Sequence, residues 1–476
     1  MTQASIALNR FGIGARPDDV VGNGRDWLTT QMPAFAIRPP AIAAAPDSAR
    51  VATDLASYQQ AQRAARAAAP PPDAMRTAPA TPPVRSDAVR AARQAIGKQA
   101  RDDYGAAVAA RAIAALTTQT PFVERLVHFW ANHFAVSADR LTVVGLAGTL
   151  EFEAIRPHVL GRFGDMLAAV ERHPAMLLYL DQAVSVGPSS ALGMRVAARG
   201  GRKVGLNENL AREILELHTL GVRTGYGQGD VTELARAMTG WTVAGLGRGG
   251  GRDQGPAGRF RFAAAVHEPG VRTVLGKRYA EDGEDQARAV LRDLAVNPAT
   301  ATHVATKLAR HFAGDVPPPA MVARLRAVFL ETGGDLPSVY RALIASPEAW
   351  IETPVKFKTP WEWSIAAMRA LGMTNVQPGA IAGLLTQLGH PVWKPGQPAG
   401  YDDIAASWAG PDAVMRRVEA AERFASRAGG AIDARRLAAT LFPGSVSAAT
   451  TEALARAESP GQALALLLVA PESMRR

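Results

Sequence analysis

The sequence predicts a mainly α-helical, multi-helix globular protein with one small β-hairpin excursion. Three observations carry this reading. Apolar residues recur at three- and four-residue spacing through most of the 476-residue chain. Ala-rich stretches with polar starts and few breakers fill much of the N-terminal quarter. Period-two alternation that suits strands is confined to 258–279. With 47% hydrophobic residues the chain can build a sizeable core, and its length exceeds what one core usually fills. Three regions are therefore expected: an N-terminal helical region at 1–120 with a Pro/Ala-rich linker at 67–83, a helical core at 121–375, and a C-terminal helical region at 376–476.

In chain order, the periodicity predicts helices over 48–68 and 86–118, separated by the Pro-rich linker. Pro121 at a helix start leads into FVERLVHFWANHF. Further helices fit 148–160, 165–181, 208–220, 231–239, 283–295, 298–312, 319–331, 336–345, 360–371, 378–388, 411–427 and 432–441. In the β segment, Arg259-Phe260-Arg261-Phe262 alternates, His267-Glu268-Pro269-Gly270 supplies turn residues, and Val271 to Leu275 alternates again. This predicts one hairpin joining the two runs. Asp230 followed by Glu233 reads as a capping box for 231–239, with Gly240 ending it. Lys356 to Trp363 reads as a helix entry with tryptophans packed in the core beneath it.

Composition removes several chemistries. There is no cysteine, which excludes disulfides, thiolate metal sites and cysteine nucleophiles, and leaves His, Asp and Glu as the strong metal ligands. The 53 basic and 43 acidic residues give a net charge of +10. Only seven of the basic residues are Lys, and 61–120 holds nine Arg or Lys against four Asp without interleaved aromatics. A solvated basic face is the reading, and no nucleic-acid partner is expected. No stretch reaches the ~20 apolar residues of a membrane span, and no leader pattern opens the chain, so no transmembrane segment and a cytoplasmic location are expected. Gly245, Gly247 and Gly250 match G-x-G-x-x-G only by letter, since no strand precedes and no helix follows them.

The densest chemistry lies in NENLAREILELHTLGV at 207–222. Asn207 suits an N-cap, Leu210, Ile214 and Leu217 form an apolar stripe, and Gly221 suits a C-cap. At about 100° per residue, Asn209, Glu213 and Glu216 share one flank, while His218 falls on the opposite one. Arg212 lies four residues from both Glu208 and Glu216, so an ion-pair ladder accounts for part of the pattern and leaves Glu213 over. In RLVHFWANHF, His133 shares the apolar face of Phe122, Leu126, Phe129 and Trp130, and His128 sits about 140° away. His133 reads either as a satisfied core histidine or as a ligand presented by a core.

Taken with ALNRFGIGARP at 7–17, ERLVHFWANHF at 124–134, HPAMLLYLD at 173–181, DVTELARAMTGWT at 230–242, HEPGVRTVLG at 267–276 and KFKTP at 356–360, this block resembles the bacterial family called domain of unknown function 1800. The resemblance spans nearly the whole chain. Tyr401 stands where the family more commonly has Trp. The resemblance brings no established activity or agreed cofactor. It implies a protein partner from a neighbouring alkaline-phosphatase-like family, and many members carry export signals. Two functions stay open. In one, an enzyme gathers Glu213, Glu216 and Asn209 with His133 as catalytic groups, and Glu213, Glu216, His128, His133 and His218 supply ligands to a divalent metal, the one candidate cofactor. In the other, a non-catalytic scaffold or partner-binding protein uses the same residues as a buried ion-pair network.

Overall fold

The computed structural model describes residues 1–67, 84–200, 205–247, 255–354 and 356–476. Proline sets much of the helical phrasing. Pro121, Pro174, Pro298, Pro319, Pro360, Pro378, Pro411 and Pro460 each open a helix, where the missing N–H has no helical partner and the fixed φ suits the first turn. The long helices Ser48–Ala67 and Val84–Thr117 flank the Pro-rich linker, whose residues 68–83 lie outside the described residues, as does Gly250.

Among the described residues one large hydrophobic cluster runs from Ile6 to Met474. Both ends of the chain enter it. Thr2 Oγ1 donates to the Pro443 carbonyl at 2.5 Å, and Phe357 pairs with Arg475 in an isolated β-bridge. Arg10 is fully buried and donates to the carbonyls of Ala349, Ile351 and Thr353, which satisfies the end of the short 3-10 turn Pro347–Trp350 and the loop after it.

The protein is mainly α with a small β excursion, and the excursion is two small sheets rather than the single expected hairpin. Phe260–Phe262 pairs antiparallel with Trp241–Val243, and Arg272–Val274 pairs with Lys277–Tyr279. The second hairpin turns on Leu275 and Gly276, both with positive φ (50° and 74°), the geometry of a tight two-residue turn. Asp230 Oδ1 accepts the Leu275 N–H at 2.7 Å and so pins a non-glycine residue there. That local closure wins over the longer 267–270 connection.

Three expected helices also change form. The 165–181 segment is split by Pro174 into Phe163–Glu171 and Pro174–Tyr179. The 148–160 segment passes through a π-turn at Glu151–Ile155, and 208–220 is an α-turn at Asn209–Glu213 followed by a π-turn at Ile214–His218. Finally, helix Gln228–Met238 begins at Gly227, so Asp230 closes the capping box from its third residue instead of starting it. Glu233 is free for other work and pairs with Arg236 at 2.5 Å.

Candidate active-site cleft

Helix Pro121–His133, helix Pro298–Ala313, the start of helix Pro360–Ala370 and the 390–403 loop enclose a cleft of about 1000 Å³, counting the part open to solvent. Apolar and aromatic walls come from Phe129, Val136, Trp361, Ile365, Trp393 and Tyr401. The polar lining includes Arg111, Arg125, His128, Lys307, His311, Glu362, His390 and Asp403. A largely apolar recess with a few converging polar groups is the usual form of a small-molecule site.

Helix 298–313 supplies two of these groups one turn apart. His311 Nδ1 lies 3.0 Å from Asp403 Oδ2, so the carboxylate accepts the Nδ1 proton and the Nε2 lone pair accepts a long contact from Arg125 Nη1 at 3.4 Å. Burial lowers the imidazole from its usual 6.5 to about 4 despite Asp403, so it is neutral at neutral pH. Burial alone would raise Asp403, but His311, Lys356 (2.9 Å) and Arg476 hold it far below the carboxylate range. Lys307, on the preceding turn, makes no hydrogen bond or ion pair with any described residue and is only partly covered. Burial pushes its ammonium down to about 8, with Asp403 opposing and Arg310 assisting.

Glu362 does two jobs. As the third residue of helix 360–370 it accepts the Thr359 N–H at 2.8 Å while Thr359 Oγ1 accepts its own, a reciprocal capping box. Its other oxygen bonds Arg125 and, at 2.9 Å, Arg476 Nε. Burial raises its carboxyl, yet Arg476 and Arg125 hold it well below the usual range. Arg125 also donates to the Gly12 carbonyl at 2.7 Å, which ties the N-terminal block to the cleft floor.

The opposite wall is built on Trp361. Its indole N–H donates to His128 Nδ1 at 3.2 Å and its backbone N–H to His390 Nδ1 at 3.3 Å, so both imidazoles carry their proton on Nε2. Burial lowers His128 well below its usual value and His390 to about 3, with Arg111 adding to both. The Arg111 guanidinium lies 4.2 Å from the centre of a Trp361 ring and binds Glu151 at 2.9 Å, and Glu151 also accepts the Trp393 indole N–H at 3.0 Å. Glu151 opens the π-turn 151–155, whose i→i+5 bonding shifts the helix register at this point.

The residues singled out in the sequence fall into three places. His128 and His133 both line the cleft. His133 Nε2 is 3.1 Å from the His218 carbonyl, and His303 Nε2 is 3.1 Å from that of Leu217, so two imidazole N–H groups cap the buried end of the 209–218 helix. His218 itself is fully buried against Glu171, Nδ1 to Oε1 at 2.7 Å. Glu216 and Glu208 flank Arg212 at 3.7 and 3.6 Å, as the ladder reading expects, and Asn209 is exposed at the helix start. Glu213 is half-buried and without an ion pair, its carboxyl raised by burial with Glu216 adding and His218 opposing. The π-turn corrects one expectation. With five-residue bonding, His218 comes back toward the Glu213 side instead of standing on the opposite flank. Among the described residues, no three His, Asp or Glu side chains are grouped so as to hold a metal ion.

Sequence reasoning passed over Lys307, His311, Glu362, Arg125, His390 and Asp403. It also placed Trp361 in the core, whereas that ring is both buried and a wall of the cleft. One signal was present: Thr359-x-x-Glu362 has capping-box spacing, which puts a carboxylate at a helix entrance. Among the described residues no helix is long and apolar enough to cross a membrane.

A family model described as "Protein of unknown function (DUF1800)" matches residues 6–475. No curated protein matches the chain, and no solved structure does.

Proposed function

The chain belongs to the DUF1800 family, and from its cleft we propose that it is an enzyme that binds a small organic anion and moves a proton on it. The observation that carries this is the Asp403–His311 pair (3.0 Å) one helical turn from an unpaired lysine on a largely apolar cleft. An imidazole held in one tautomer by a carboxylate, neutral at working pH and with its other nitrogen in only a long 3.4 Å contact to Arg125 Nη1, can serve as a general base once that contact is exchanged for a ligand. Lys307 offers a positive charge to a carboxylate or phosphate, because among the described residues it makes no ion pair and Asp403 acts on it only at longer range. Arg125 and Glu362 satisfy one another and so orient the floor without competing for the ligand. Trp361, Trp393 and Phe129 give the apolar body of the ligand its contacts.

Two experiments test the two halves of this reading. Benzoate and phenyl phosphate should raise the melting temperature of the protein, and Lys307→Met should abolish the shift; no shift, or an equal shift in the variant, overturns the site. Exchange of solvent deuterium into pyruvate or phenylpyruvate, followed by proton NMR, should require His311 and fail in His311→Asn. Exchange that persists undiminished in that variant removes His311 as the base, and no exchange with either acid in the wild-type protein ends the enzymatic half.

The scaffold alternative, including an alkaline-phosphatase-like partner, draws its support from a different place. The capped and paired groups around His218 and Glu171 are what a structural network needs.

A further inference from the structure

The chain has seven lysines, and six of them are described. Four are engaged: Lys98 with Asp102 at 2.9 Å, Lys277 with Asp293 at 2.5 Å, Lys356 with Asp315 and Asp403 at 3.1 and 2.9 Å, and Lys394 over the Tyr104 ring at 4.9 Å. Lys307 and Lys358 have no carboxylate partner. Lys358 is 2% exposed, lies 6.0 Å over the Phe442 ring within reach of the Glu362 charge, and lines a narrow recess of about 300 Å³ walled by Ala366, Ala367, Leu441 and Phe442. Lys307 lines the larger cleft, on the same helix face as His311.

Resting on the reading of that cleft as an active site, we propose that Lys307 is a covalent catalytic residue that forms an imine with an aldehyde or ketone substrate carrying an acidic group. The geometry suits the step. The Nζ lone pair attacks the carbonyl carbon and the carbonyl π bond breaks toward oxygen. The nitrogen sheds two protons in turn: the first neutralises the alkoxide to a hydroxyl, and the second, carried by His311 Nε2 in place of its 3.4 Å contact to Arg125, protonates that hydroxyl, which departs as water. Amine and carbonyl thus give imine and water, with no oxidant or reductant involved. The acidic group is required for charge reasons: the imine nitrogen takes up a proton from water, and the cationic iminium favours an anion on the ligand. Desolvation supplies the free amine. An ammonium lowered to about 8 is deprotonated far more often at pH 7 than one of ordinary value.

The test needs no knowledge of the natural substrate. The protein is incubated at pH 7 with glyoxylate and sodium cyanoborohydride, which reduces an imine to a stable amine, then digested and mapped by mass spectrometry. The expected result is an adduct at Lys307 forming at least about tenfold faster than at exposed Lys98 and Lys277, suppressed by saturating benzoate and absent in Lys307→Arg. Adducts that follow exposure, or that appear at Lys358 while Lys307 stays unmodified, overturn the imine. Benzoate binding by thermal shift is read in parallel. Benzoate that binds while Lys307 remains unmodified ends the imine and leaves the cleft reading standing; neither binding nor adduct ends both.

Discussion

Two regions of this protein are rich in histidine and carboxylate, and they differ in what their polar atoms face. At the buried end of the 209–218 helix, imidazole N–H groups are spent on protein: His133 on the His218 carbonyl, His303 on the Leu217 carbonyl, His218 on Glu171. In the cleft, carboxylates hold the cations and imidazoles in place, while Lys307 lines space a ligand can fill and the far nitrogen of His311 has only a long 3.4 Å contact to Arg125. Density of chemical residues marks both regions. A leftover cation on a cleft that a ligand can enter marks only the second.

The largest effect expected from this contrast is on stability against acid. In the cleft His311 and His390 are depressed from 6.5 to about 4 and about 3, chiefly by burial, and His303 at the helix end is depressed to about 4. The unfolded chain therefore binds protons below pH 6.5 while the native one does not. Their contribution to stability is complete above 6.5 and lost as pH falls through the folded values, at up to about 1.4 kcal/mol per pH unit for each group. Below the usual carboxylate range Asp403 and Glu362 add loss of the same sign, because their folded values are depressed. Urea denaturation across pH 7 to 4 measures this. His390→Gln should flatten the slope by one group; an unchanged slope would assign it elsewhere.

Next in size is removal of one partner from the helix-end network. Glu171→Ala leaves His218, which is fully buried, without its carboxylate, and should cost about 3–5 kcal/mol, read as a lower urea midpoint at unchanged m. The opposite sign is expected in the cleft. Lys307→Met removes an unpaired, desolvated ammonium and keeps the stem, so stability should rise by up to about 1 kcal/mol while anion binding is lost. If Lys307→Met destabilised the protein as Glu171→Ala does, the two regions would both be structural and the contrast would fail.

Much of the fold was legible in the sequence because helices are local. Pro at the first turn and the Arg212 ladder each rest on spacings of four residues or fewer, and each appears as read, whereas the equally local Thr359-x-x-Glu362 box went unread. The π-turns were not legible. Nothing in ILELH distinguishes five-residue from four-residue bonding; what holds the 214–218 turn is its buried surroundings, with His133 and His303 reaching its last carbonyls from 85 and 86 residues away. The cleft escaped for the same reason. His311 and Asp403 are 92 residues apart and Arg125 and Glu362 are 237 apart, so only packing of the 121–133, 298–313 and 360–370 helices makes them one site. The β pairing was misread where a two-residue turn outcompeted a longer one, a choice settled by Asp230 reaching Leu275 across 45 residues.

The smallest expected effect concerns Glu213, the carboxylate that the Arg212 ladder leaves over. It is half-buried and unpaired, so Glu213→Gln keeps the shape and removes a charge that burial already disfavours, and stability should change by no more than about 1 kcal/mol in either direction. Its neighbour Glu216, its side chain 26% exposed, faces Arg212 at 37%, where screening makes Glu216→Gln nearly neutral. Elemental analysis of untagged protein sharpens the point. For the divalent-metal reading, Glu213, Glu216 and His133 would have to converge, which means His133 giving up the His218 carbonyl or binding through Nδ1, a buried nitrogen with no hydrogen bond. Stoichiometric metal lost in both Glu213→Gln and His133→Gln would move the chemistry from the cleft to the helix end. Metal that is absent, or retained in both variants, ends the metal reading at the helix end and leaves Glu213 a half-buried carboxylate without an ion pair to any described residue.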